Sequence, residues 1–150
     1  MAELEIPEGV QAFNFWTIII MGRLWDEFPR PQSFHTGYGT PPAVHVTGDT
    51  AREGTAIGPT GSDQTEIFVH TLAWLLAERF VSGKVNDGRN HFNNITLTTR
   101  GFTVLNQIPH SVAPPGKPLG TQMREAAGTQ LAGAAARILL ESMLTPFRSP

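Results

Sequence analysis

Residues 62–109 read SDQTEIFVHTLAWLLAERFVSGKVNDGRNHFNNITLTTRGFTVLNQIP, and the expected fold turns on them. Phe68, Leu72, Leu75 and Leu76, with Phe80 a turn later, recur at helical spacing and set one apolar face toward a core. Asp63 with Glu66 three residues on has the form of a capping box at the start of this helix. Gly83 suits the left-handed residue that closes a helix. Asp87-Gly88 is a pair that tolerates the positive φ of a type I′ hairpin turn. In the following Phe92–Thr98, Ile95 and Leu97 share one face at strand period, and the threonines favour extended backbone. Thr98 or Thr99 then caps a short helix lined by Phe102, Leu105 and Ile108, which Pro109 stops. The segment reads as helix, hairpin, helix.

The string Leu97-Thr98-Thr99-Arg100-Gly101, followed by Phe102 and Leu105, resembles the end of the wing in MarR-like and PadR-like proteins of the winged-helix superfamily. The wing's second strand must turn directly into a helix there, and Gly101 lets the first helical turn approach the core. The resemblance covers about a third of the chain. It implies an α+β, mostly helical, winged-helix-like domain. That domain would have a two-to-three-stranded hairpin sheet, a long C-terminal helix, and DNA binding through the wing.

Working outward, the chain divides as a single domain. Residues 7–28 are the N-terminal helix, in which Phe13, Trp16, Ile20, Leu24 and Phe28 step by three and four. Ile18, Ile19, Met21 and Trp25 add apolar surface on its other sides, so this helix is either central in the domain or packed on a partner chain. Pro29 and Pro31 end it. Residues 29–62 hold five prolines and six glycines and read as a long loop, with strand stubs at Gln32–Phe34 and Ala43–Thr47. Residues 110–118 are a Pro/Gly linker. Residues 119–145 read as a C-terminal helix, where Leu119, Met123, Ala127, Leu131, Ala135, Ile138 and Met143 lie near one face. Gly128, Ala132 and Ala136 form a small-residue seam on it. The expected core joins Phe13, Trp16, Ile20 and Leu24 to Phe68, Leu72, Leu75, Leu76, Ile95, Leu97, Phe102, Leu105 and Ile108.

A hydrophobic content of 40% in 150 residues supports one real core. The apolar run Phe15–Met21 is too short to span a bilayer, and the start M-A-E-L-E has no basic n-region, so a cytoplasmic protein is expected. Zero cysteines exclude disulfides and thiolate chemistry. Charge is uneven: residues 1–78 hold three basic and ten acidic side chains, and residues 79–150 hold eight basic and three acidic. Such asymmetry is consistent with a nucleic-acid face, with a surface that complements a second copy, and equally with a scatter of solvated charges.

The five histidines, His35, His45, His70, His91 and His110, show no metal-ligand spacing, and no H-E-x-x-H or G-x-S-x-G occurs. The loop Gly58–Ser62 precedes a helix but lacks the Lys-Ser/Thr of a phosphate loop. No catalytic residue, metal or cofactor is therefore expected, and the protein is read as non-enzymatic. The candidate nucleic-acid-binding residues are Arg79, Lys84, Arg89, Asn90, His91 and Arg100, on and beside the wing. Asp63 and Glu66, at the start of what would be the recognition helix, would repel phosphate. Two functions are carried forward: a DNA-binding regulator on double-stranded DNA, and a protein-interaction or assembly module that does not bind DNA. A homodimer through the Leu119–Met143 helix is expected in either case.

Overall fold

The structure, a computed structural model, describes residues 8–38, 41–48, 55–86, 91–106 and 118–127. In chain order the elements are α1 (Glu8–Glu27), β1 (Gln32–Tyr38), β2 (Ala43–Thr47), β3 (Thr55–Ile57), α2 (Ser62–Ala77), β4 (Val81–Val85), β5 (His91–Leu97), α3 (Thr99–Leu105) and α4 (Leu119–Ala127).

All five strands join one antiparallel sheet in the order β3-β2-β1-β5-β4. This overturns the expected winged-helix-like architecture with a two- or three-stranded hairpin sheet. The main layer is a five-stranded sheet, and three of its strands come from the stretch read as a long Pro/Gly loop. The strand stub expected at Gln32–Phe34 runs on to Tyr38, and the one at Ala43–Thr47 has those bounds. The expected long C-terminal helix is not shown. Its described part is α4, and residues 128–145, with the seam Gly128, Ala132 and Ala136, lie outside the described residues.

Strand period explains the sheet's two faces. On β1, Gln32, Phe34 and Thr36 are buried, while Ser33 and His35 alternate with them. Val44 and Val46 of β2 and Phe92, Ile95 and Leu97 of β5 join Phe34 on the inner face. In β5 the alternation slips at Asn93-Asn94. Gln32 pairs with Ile95 but Phe34 with Phe92, so β5 carries one extra residue, and Asn94 takes φ 55°. The bulge returns Ile95 to the core after Phe92.

Helices α1 and α2 cover the inner face. The Phe68 ring of α2 lies 5.3 Å from Trp16, 5.8 Å from Phe34 and 5.9 Å from Phe92, so it joins helix to helix and helix to sheet. Trp16 also donates from Nε1 to Gln64 Oε1 at 3.1 Å. Of the expected core, Trp16, Ile20, Leu24, Phe68, Leu72, Leu75, Ile95, Leu97 and Leu105 are buried. Phe13, Leu76 and Phe102 pack against that core half-buried, and Ile108 lies outside the described residues.

Two local expectations about α2 are corrected. The residue before its first turn is Gly61, with no side-chain cap, so Asp63 and Glu66 do not form a capping box. The helix ends at Ala77, the left-handed residue is Arg79 at φ 64°, and Gly83 lies within β4. Downstream, Thr98 caps α3 by accepting from the Gly101 amide at 3.1 Å. Gly101 there is set by space: a Cβ would sit 2.1 Å from the Phe80 carbonyl oxygen, which the Thr98 amide already holds.

On the far side of α1, α4 docks at Gly22, where a Cβ would lie 3.0 Å from the backbone of Arg124. Met123 is buried in this contact, Trp25 Nε1 donates to Thr121 Oγ1 at 3.1 Å, and Asp26 meets Arg124 at 3.5 Å. Among the described residues no helix is long and apolar enough to cross a membrane.

Two substitutions test this packing. Gly101→Ala drives a methyl into a hydrogen-bonded backbone carbonyl and is expected to lower unfolding free energy by about 2–3 kcal/mol. A loss within error in urea titration would mean that the α3–β4 contact is loose. Thr17 is fully buried in α1 and its Oγ1 has no hydrogen-bond partner among the described residues. Thr17→Val keeps the shape and removes the orphan hydroxyl, so a gain of about 1 kcal/mol is expected; destabilisation would show that the hydroxyl is bonded in solution.

Candidate functional site: the outer face of the sheet

The strand pairing that buries Phe34 also aligns three histidines. His35 is opposite His45 on β2 and opposite His91 on β5, so all three share the outer face. The His35 and His45 rings stack with centroids 5.2 Å apart and planes 11° from parallel. His35 and His91 stack at 5.5 Å and 17°. The row continues to Ala56 of β3, opposite His45, and to Asn86, whose amide donates to the His91 carbonyl at 3.0 Å. Asn86 Oδ1 accepts from the His91 amide at 3.2 Å. Ser33 is opposite Thr47, and Ser82 is opposite Thr96, so hydroxyls flank the imidazoles. Lys84, exposed on the edge strand and paired with Asn93, is the cation at the margin.

This face is polar with little charge. Parallel stacking holds the imidazoles side by side and does not aim them at one point. Among the described residues no group of three His, Asp or Glu side chains is arranged to hold a metal. His45 Nδ1 is buried and has no hydrogen-bond partner among the described residues. His35, in the middle of the row, has its pKa lowered from 6.5, first by burial and then by the positive charge of His45 and His91 when protonated.

The described members of the expected nucleic-acid set lie on several elements. Arg79 is exposed just beyond α2, and its carbonyl accepts from Thr98 Oγ1 at 2.6 Å. Arg100 is half-buried on α3 with its guanidinium 4.7 Å from the centre of the Phe80 ring. These two flank one end of β4. Lys84 lies further along that strand, and His91 belongs to the imidazole row. Arg89 and Asn90 lie outside the described residues, as does the Asp87-Gly88 turn. Helix α2 buries Phe68, Thr71, Leu72 and Leu75 against the sheet. Of its candidate base-reading side chains, Gln64 is bonded to Trp16 and the Thr65 hydroxyl donates to the Ser62 carbonyl at 3.0 Å. His70 is exposed and lies away from the row.

The sequence reading found His91 but assigned it to a wing, and it missed the pairing with His35 and His45. The signal was the alternation S-F-H on one strand and V-H-V on the other, which sets each imidazole opposite in sense to an apolar neighbour. No protein-family model, curated protein or solved structure matches this chain.

The row predicts a pH dependence with a definite sign. In the unfolded chain His35 takes a proton at the ordinary value, while in the fold it resists until lower pH. Between these two values the unfolded state binds more protons, so stability falls on acidification and recovers above neutrality. From about pH 7.5 to about pH 5.5 the wild type should lose more stability than His35→Thr. Identical urea midpoints at both pH values in the two proteins would sink the assignment.

Proposed function

We propose that this chain is a non-enzymatic assembly module that associates with a second copy through the β4 edge of its sheet and the outer face beside it. One observation carries the reading. Among the described residues the sheet ends at β4, whose Ser82–Val85 are exposed, with Val85 45% exposed at the end of the strand. A strand paired on one side offers unpaired backbone groups on the other, and a two-fold axis beside it would continue the sheet into the partner. The adjoining face, polar but nearly uncharged, loses less on desolvation than a charged face would.

The alternative, a DNA-binding regulator, draws support from Arg79, Lys84 and Arg100, all at or near β4. Against it, α2 is committed to the core and presents Asp63 and Glu66 on its exposed first turn. The dimer expected through the C-terminal helix is also less favoured, because the described part of that helix already packs on α1 through Met123.

Light scattering across a concentration series is expected to show a dimer that Val85→Glu weakens about tenfold, equivalent to about 1.4 kcal/mol. A wild type monomeric at high micromolar concentration would overturn the assembly reading. Saturable duplex-DNA binding with a salt slope that Arg89→Ala makes shallower by about one would favour the regulator instead.

A further inference from the structure

We propose that the cavity between α1, β3 and α4 binds a carboxylate carried on a short apolar tail. The cavity has a volume of about 180 Å³ and is lined by Phe15, Ile19, Arg23, Ile57, Gly58 and Arg124. Phe15, Ile19 and Arg23 follow one another at intervals of four on α1, a single stripe that changes from apolar to cationic along the helix. Ile57, from the end of β3, extends the apolar end. Arg124 extends the cationic end, because Gly22, beside Arg23, lets the α4 backbone approach at that level.

Arg23 is held in place. Its Nε lies 3.4 Å from Oε1 of Gln32, which is 1% exposed and donates from Nε2 to the Pro31 carbonyl at 3.1 Å. Arg124 meets Asp26 through Nε at 3.5 Å, a half-exposed pair, and this leaves its terminal nitrogens for a ligand. Among the described residues no carboxylate lines the cavity. Two guanidiniums sharing a partly desolvated cavity repel each other, and an anion between them relieves that repulsion while accepting charge-assisted hydrogen bonds. The volume is below that of sites for drug-sized ligands, which restricts the ligand to a carboxylate and a few carbons. A free short-chain acid and the C-terminus of a polypeptide ending in an aliphatic residue share this chemistry.

The test titrates the intact chain with 4-methylpentanoate, with the neutral 4-methylpentanamide, with inorganic phosphate, and with the tripeptide Gly-Gly-Leu as acid and as amide. Calorimetry gives affinity, and amide NMR shifts at Ile57 and Gly58 report location. The expected result is saturable binding of the acid, none of the amide, and an affinity about tenfold weaker in R124Q and in R23Q. R23Q also frees Gln32, so its unfolding midpoint is measured alongside; R124Q, at an exposed position, carries the test if R23Q fails to fold. Tighter binding of the tripeptide acid than of 4-methylpentanoate would identify a chain terminus as the ligand, and the reverse a free acid. Equal binding of acid and amide, phosphate binding as tightly as either acid, or indifference to R124Q would overturn the proposal.

Discussion

Helix α1 buries Ile18, Ile19, Ile20 and Met21 in succession, and no single surface can cover consecutive positions on a helix. Each residue turns the side-chain direction by about 100°, so four in a row point around the whole circumference. Such a helix must be enclosed. Here the sheet with α2 encloses it on one side and α4 on the other, with Gly22 thinning α1 where α4 lies against it. Trp16, Phe34, Phe68 and Phe92 then fill the space between helix and sheet. Because α1 and α2 both lie on one face, the other is left to polar side chains, an arrangement that antiparallel sheets permit.

The helices were legible because their period is long and repeated. Phe68, Leu72 and Leu75 announced α2, and the crowded apolar positions of α1 announced that it would be enclosed or paired. Strands β1 and β2 were read only as stubs within a loop and β3 was not read at all, for a physical reason. Each shows one or two strong apolar residues, Phe34 on β1, Val44 and Val46 on β2, Ile57 on β3, set among prolines and glycines that punctuate the turns. In a sheet covered on one face, half of each strand is polar by necessity, and a five-residue strand then offers two informative positions. The cap, at the first of the two threonines offered, depends on a neighbour in sequence, the Gly101 amide; the tight approach at Gly101 was also anticipated, although the carbonyl it meets belongs to Phe80, far back in the chain. The helix ending was not, because Arg79 adopts the left-handed conformation that Gly83 was expected to supply.

The imidazole row was invisible for another reason. Metal and catalytic spacings are searched along the chain, at helical or loop intervals, and none of the histidines satisfies one. Their relation exists only across strands, and it depends on β5 pairing with β1 although α2 and β4 intervene in sequence. The basic residues near the hairpin gave the opposite impression, a cluster in sequence whose described members lie on α3, on β4 and just beyond α2.

The row's geometry is fixed from the far side of the sheet. Phe34 and His35 are adjacent on β1 and must face opposite ways, as must Val44 and His45, and His91 and Phe92. A slip of one residue in any of these strands would bring an imidazole into the space that Trp16 and Phe68 fill and expose an aromatic or a valine. The core therefore selects the register, and the register stacks the imidazoles without requiring them to attract one another. Burial and the charge of its neighbours act against charging His35, so the middle of the row resists taking up a proton. A partner surface meeting this face would find side chains able to donate or accept hydrogen bonds and little fixed charge to desolvate. The packing that encloses α1 thus also determines the chemistry the protein presents to its surroundings.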